Sequence, residues 1–142
     1  MPEPQIQLEV VTPSRRVLSE RVDSIELPAK DGYLGILPGH APLITELGIG
    51  VLAYSQNGIP RFATVIEGFA EVLPGRVIVL ADASELASEI DTSRAKTAEQ
   101  RAHAELFKSS HETIDWQAAS LALQRALARQ EAAAKFGSPA AH

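Results

Sequence analysis

The chain contains no cysteine. That removes disulfides, thiolate catalysis and thiolate zinc sites together, and a cytosolic setting fits. It also lacks any apolar run long enough to span a bilayer, so no direct membrane insertion is expected. The first residues, Met1-Pro2-Glu3-Pro4-Gln5, offer neither a basic region followed by an apolar one nor an arginine-rich stretch. No signal or transit peptide is therefore expected. Positive charge is scarce as well: 13 Lys and Arg face 18 Asp and Glu, and the pI is near 5.3. That balance argues against nucleic acid as a partner.

What remains is an ordinary globular composition over 142 residues, 45% hydrophobic and 22% charged, enough for one domain or two small units. The charge is unevenly placed. Residues 1–85 carry 6 basic and 11 acidic residues, whereas residues 86–142 carry 7 of each. Glycine, proline and β-branched residues dominate up to Asp82, and alanine dominates after it. The division predicts a β unit over 1–85 and a helical unit over 86–142.

In the β unit, Ile6, Leu8 and Val10 alternate with polar neighbours, the period-2 signature of a half-buried strand. Further strands are expected over Val17–Leu18, Val22–Leu27, Ile49–Tyr54, Phe62–Ile66, Phe69–Leu73 and Val77–Leu80. Asn57-Gly58 is a hairpin signal, because both residues tolerate the positive φ of a type I′ turn. Pro74-Gly75 marks another turn. The stretch Asp31 to Leu43, DGYLGILPGHAPL, is expected to form a rigid corner between two short buried strands. In it Pro38-Gly39 supplies the turn, and Gly32 and Gly35 supply positive φ or close backbone approach. Many short strands at close spacing imply a sandwich or a flattened barrel. Leu8, Val10, Ile25, Leu27, Ile36, Val51, Val65, Phe69, Val72, Ile78 and Leu80 are the candidate core.

Asp82 to Glu89 is small and polar and reads as a short connector. Asp91 and Asp115 are N-cap candidates for two helices. The first carries Ala95, Ala98, Ala102 and Leu106 at helical spacing, until Lys108-Ser109-Ser110-His111-Glu112 breaks the pattern. The second opens at Trp116, a core or interface residue on this reading, and carries Ala119, Leu123, Ala126 and Leu127. Gly137-Ser138-Pro139 stops it. Alanine stripes bury little area, so such a hairpin is marginal when undocked and able to leave its resting place. The fold class is α+β: an N-terminal antiparallel β-sandwich followed by a C-terminal antiparallel α-helical hairpin.

No catalytic constellation emerges. His40 has no nucleophile or orienting carboxylate beside it in sequence, and is expected to satisfy its ring on backbone in the turn. His103 and His111 lack a third ligand in pattern and read as solvent-facing. No lysine-serine helix follows Gly32 and Gly35, which argues against a phosphate loop. Composition alone does not exclude a free-standing binding module with a helical oligomerisation tail.

The string Gly32 to Leu43, with Leu37-Pro38-Gly39-His40-Ala41-Pro42 at its centre, resembles the signature of the epsilon subunit of bacterial F-type ATP synthases. So does Val79-Leu80-Ala81-Asp82. Ile90-Asp91-Thr92-Ser93-Arg94-Ala95 is similar to the I-D-x-x-R-A motif that opens the family's first helix. The resemblance runs from about Gln5 to about Lys135, with one departure: Glu67 stands where the family usually has a second glycine before Phe69.

The resemblance implies a β-sandwich and helical hairpin at the base of the central stalk, without chemistry of its own. The sandwich would pack on the gamma subunit and rest on the rotor ring of the membrane sector, coupling rotation to ATP synthesis by a proton-translocating enzyme. The hairpin would extend to the alpha and beta subunits and inhibit ATP hydrolysis. The location implied is peripheral, on the cytoplasmic face of the bacterial cell membrane. No cofactor is required, but the folded hairpin would hold regulatory ATP through Glu85, Ile90, Asp91, Arg94, Ala95, Arg101, Arg125 and Arg129, positions similar to those of ATP-binding members. Arg94 and Arg101 share one helix face, Arg125 and Arg129 another, so antiparallel pairing would converge four guanidinium groups. The plainer reading of these arginines is solvated pairing with Glu99, Glu105 and Glu131.

Overall fold

The computed structural model describes residues 4–107 and 115–137. Its β unit has seven strands: β1 Ile6–Val11, β2 Arg16–Val22, β3 Ser24–Ala29, β4 Gly32–Ile36, β5 Leu43–Gln56, β6 Ile59–Leu73 and β7 Arg76–Ala83. They hydrogen-bond in the order β2-β1-β7-β6-β5-β3-β4. The sheet folds over itself as a sandwich, and one cluster including Ile6, Leu8, Val22, Leu27, Ile36, Val65, Val72, Val77 and Val79 fills the interior. The pairing is antiparallel except for β1 and β7, which run parallel from Gln7 opposite Arg76 to Val11 opposite Leu80. Alternation in a sequence gives a strand's faces and not its direction, so this exception had no local signal.

Turn chemistry sets the frame. Asn57 and Gly58 both take positive φ, 53° and 78°, and close the β5–β6 hairpin. Gly39 has φ 87° behind Pro38, the His40 N–H donates to Leu37 O, and the His40 ring Nδ1 donates to Ala41 O at 2.7 Å. The expected corner is thus confined to the residues between β4 and β5. Gly32 to Ile36 is itself an edge strand on β3, mostly exposed, rather than the end of a buried one. Gly35 has no positive φ, and a Cβ there would meet nothing within 4 Å.

Two expected strands merge into one. β6 runs through Glu67 and Gly68 without interruption, both at positive φ (54° and 125°). A Cβ on Gly68 would lie 2.0 Å from Leu80 O, so β6 passes β7 with backbone where a side chain would stand. Past that point the outward and inward residues differ from expectation. Phe69 and Leu80 are directly opposite each other and more than half exposed, and Ile78 is only partly buried. Val77, Val79 and Ala81 face the core instead. The other eight expected core residues are buried.

The helices are α1 Thr92–Leu106 and α2 Trp116–Gly137, with a 3-10 turn at Ala87–Glu89 before them. Asp91 Oδ1 accepts from the Arg94 N–H at 3.1 Å, and Asp115 Oδ1 accepts from the Ala118 N–H at 2.9 Å, so both expected caps form. The expected break at 108–112, with His111, and Ser138 and Pro139 of the expected stop, lie outside the described residues. Ala95 and Ala102 of α1 are buried against α2, where Ala119, Ala126, Ala128 and Ala132 are buried. Leu127 and Trp116 are exposed, so neither is a core residue. The inward stripe shifts to Ala128 and Ala132 because α2 packs on the sandwich as well as on α1.

Two substitutions test the β6 kink by denaturant unfolding. Gly68→Ala is expected to cost about 3 kcal/mol or more, since the methyl meets backbone and φ is unsuitable. Glu67→Gly is expected to stabilise the fold by about 1 kcal/mol by relieving the left-handed conformation at a side-chain-bearing residue.

Candidate regulatory site

The region between the sandwich and the hairpin is built from residues that leave β7. Ser84 is buried, and its Oγ donates to Thr64 O at 2.6 Å. The Glu85 N–H donates to Thr64 Oγ1 at 3.0 Å, and the Thr64 N–H donates to Glu85 O at 2.9 Å. Leu86 then pairs with Ala63. Glu89 accepts from the Leu86 N–H and receives both arms of the Arg15 guanidinium, at 3.0 and 2.9 Å. The connector is therefore fastened along the sandwich, not a bare link. Arg15, held in the turn between β1 and β2, keeps the Glu89 carboxyl below its usual value, chiefly through this hydrogen bond.

The hairpin meets this surface through α2, which packs on β5, β6 and the 3-10 turn. Ala132 packs with Val51 of β5 and Ala87, with Phe62 and Ile90 around them. Lys135 lies over the Phe62 ring, 5.7 Å from its centroid. The Arg129 Nε donates to Glu85 Oε1 at 2.6 Å.

Beside that ion pair is a cavity of about 170 Å³ lined by Glu85, Asp91, Arg94, Ala95, Ala98 and Arg129. Five of the eight residues singled out in the sequence meet there. Antiparallel helix pairing brings Arg94 of α1 and Arg129 of α2 to one cavity, and the connector delivers Glu85. The other three do not line it. Ile90 turns towards the sandwich, Arg101 is exposed, and the Arg125 Nε is buried with no hydrogen-bond partner. The cavity thus holds two guanidinium groups, not four. Glu99 accepts from Gln130 at 2.7 Å and Glu131 pairs with Lys135 at 3.3 Å, so neither is the partner of Arg129. Thr64, Ser84, Arg15 and Glu89 escaped the sequence reading, because each finds its partner across a long separation.

Elsewhere, His103 is exposed and stacks on Phe107, with ring centroids 6.3 Å apart. Among the described residues no group of His, Cys, Asp or Glu gathers as a metal site, and no helix is long and apolar enough to cross a membrane.

Fold and site define a class: a β-sandwich that carries a two-helix hairpin docked through small side chains and the Glu85–Arg129 ion pair. Comparison with known proteins narrows it. Residues 5–87 match the family model described as ATP synthase, Delta/Epsilon chain, beta-sandwich domain, and residues 88–134 match its long alpha-helix domain. The chain belongs to the delta/epsilon chain family of ATP synthases. It is 43% identical to the ATP synthase epsilon chain of Syntrophobacter fumaroxidans over 131 residues, covering 92% of this chain and 97% of that one. It is 46% identical to the corresponding chain of Solibacter usitatus over 130 residues, 92% and 96% of the two chains. Among solved structures, it superposes on a chain of the Euglena gracilis mitochondrial ATP synthase OSCP/F1/c-ring assembly with a TM-score of 0.78, at 26% identity, over 92% of this chain and 82% of the other. A chain from the Tetrahymena thermophila central stalk and c-ring shares the fold, with a TM-score of 0.58 at 12% identity. Its place in this family makes the chain a non-catalytic subunit.

The Arg15–Glu89 fork yields a pH prediction. A carboxyl whose folded value is lowered contributes stability above its unfolded value and loses it as pH falls through the folded one. The stability difference between the native chain and Glu89→Gln should be constant above about pH 4.5 and vanish on acidification below it, as read by thermal unfolding across pH. A difference that persists at pH 2 would assign it to something other than the ionised pair.

Proposed function

We propose that this chain is the central-stalk rotor subunit of a proton-translocating F-type ATP synthase. The sandwich packs on the gamma subunit and rests on the rotor ring, coupling rotation to ATP synthesis. The hairpin restrains ATP hydrolysis when it extends to the alpha and beta subunits. The complex places the chain peripherally, on the cytoplasmic face of the membrane. The observation that carries this reading is the tandem match of sandwich and helical models over residues 5–134, on one chain with the same order of units. The small side chains of the hairpin seat support the movable part of the proposal. One alanine, Ala132, is its buried apolar centre on α2, and the Glu85–Arg129 pair is about one-third exposed, so little free energy holds the two together.

The same reading includes regulatory ATP on the folded hairpin. The residues fit a phosphate-bearing ligand: Arg94 and Arg129 offer fork-shaped donors suited to phosphate oxygens. The cavity, about 170 Å³, is smaller than the roughly 300 Å³ of a typical ligand pocket. There Arg94 and Arg129 would hold phosphate oxygens, and Glu85 and Asp91 would accept from an adenine amino group or a ribose hydroxyl. Bound ATP stabilises the docked hairpin by mass action and opposes its extension.

Affinity purification of the tagged full chain from its native membranes tests the assignment. Gamma, alpha and beta subunits in stoichiometric amount are the expected result, and a chain recovered alone overturns it. Residues 1–86 are expected to suffice for that assembly and for coupled proton pumping, while ATP hydrolysis by the assembled complex rises without the hairpin. Calorimetry of the isolated chain should show ATP binding that Arg94→Ala weakens at least tenfold. Equal heats for both, or none at millimolar ATP, would leave the arginines as surface charge.

A further inference from the structure

We infer that the hairpin pivots at the Ile90–Asp91 junction, and that residues 84–90 stay on the sandwich as a fixed strap when it swings. The inference rests on the movable-hairpin reading above and adds where the movement is absorbed. The last strand ends at Ala83, so the simplest pivot would lie just beyond it. The hydrogen bonds place it further along. Ser84 and Glu85 make three bonds with Thr64, a residue 1% exposed. A pivot at Ser84 would strip the Thr64 carbonyl and hydroxyl of their partners in a buried position, where unpaired polar groups are costly. Leu86 pairs with Ala63, and Arg15 fastens Glu89 with two charge-assisted bonds. Every residue from 84 to 86, and Glu89 after them, is thereby tied to β1–β2 or β6, or to a residue that is.

Ile90 still belongs to the strap, since its N–H donates to Ala87 O at 3.3 Å and its side chain packs with Val51 and Ala87, and beyond it the ties change sides. Asp91 is exposed, and its side chain and carbonyl serve α1 by accepting from the Arg94 and Ala95 N–H groups. The hairpin therefore carries its own N-cap with it when it leaves. Ile90 and Asp91 are consecutive extended residues (φ −77°, ψ 127°; φ −84°, ψ 103°) between a 3-10 turn and a helix. Rotation within that broad allowed region costs no steric strain. Holding the strap in place has a consequence for the clasp: Glu85 remains on the sandwich as a fixed acceptor, to which Arg129 returns when the hairpin docks again.

Native-state hydrogen exchange on the free full chain, with urea raised in steps below the unfolding transition, tests the pivot. The expected result is an opening in which α1 and α2 amides, Ala95 and Ala119 among them, exchange at least about tenfold faster than those of Thr64, Glu85 and Glu89, which follow the sandwich. Exchange of Glu85 and Glu89 together with α1 would overturn the pivot and leave a movable hairpin hinged at the end of β7. Exchange of the hairpin and the sandwich as one unit would overturn both the pivot and the movable hairpin. Because the chain has no cysteine, Ala63→Cys with Leu86→Cys can staple the strap alone. Oxidising that pair should leave hairpin exchange unchanged within about twofold, and a tenfold slowing of the α1 and α2 amides would overturn the inference.

Discussion

At Gly68 two strands approach so closely that no side chain fits between them, and the sandwich closes around that contact. β6 is 15 residues long and pairs with β5 along one edge and β7 along the other. A strand of that length must bend to contribute to a folded-over sheet, and the positive φ values at Glu67 and Gly68 provide the bend. The Leu80 carbonyl then sits where the Gly68 side chain would be, which fixes the register of β7 against β6. That register sends Val77, Val79 and Ala81 inward and leaves Phe69 and Leu80 side by side on the outer face. It also sets where β7 ends, and so where Ser84 and Glu85 meet Thr64. The hairpin's seat is downstream of the same contact.

Legibility in the sequence follows from how local each signal is. β1 was readable because polar and apolar residues alternate from Ile6 to Val10, and the β5–β6 turn because Asn57-Gly58 needs no distant partner. β7 was not, since Val77-Ile78-Val79-Leu80-Ala81 is apolar throughout and offers no polar phase to show which face turns inward. The Glu67-Gly68 pair looked like a break because glycine in a strand is equally consistent with a turn. Only the approach of β7 makes it a bend within one strand. The parallel β1–β7 pair joins the two ends of the β unit, beyond any local pattern.

The cavity residues divide in the same way. Glu85, Asp91, Arg94, Ala95 and Arg129 were legible as a set through resemblance, and helix pairing does bring them together. Spacing placed Arg101 with Arg94 on one face, yet a seven-residue interval spans two helical turns, about 10 Å, and carries Arg101 beyond the cavity. Arg125 falls one turn from Arg129, outside the cavity lining, and its Nε is buried without a hydrogen-bond partner. The anchors of the connector left no trace in spacing. Arg15 and Glu89 are 74 positions apart, and a surface arginine in a turn looks the same whether or not it is paired.

Small side chains at the hairpin seat explain how one chain can hold two arrangements. An alanine at 132 brings α2 close to Val51 and Ala87 but removes little apolar surface from water, so the docked state gains shape complementarity without a large hydrophobic contribution. Had Leu127 faced the sandwich, as its helical spacing allowed, the interface would have gained a large buried side chain and the docked state would have deepened accordingly. Leu127 points to solvent instead, and the balance passes to the partly exposed Glu85–Arg129 pair, whose strength salt can screen. The fixed connector offsets the weakness of that clasp. Keeping Glu85 and Ala87 in place on the sandwich preserves a preformed seat, so redocking orders the hairpin's own groups and not both partners.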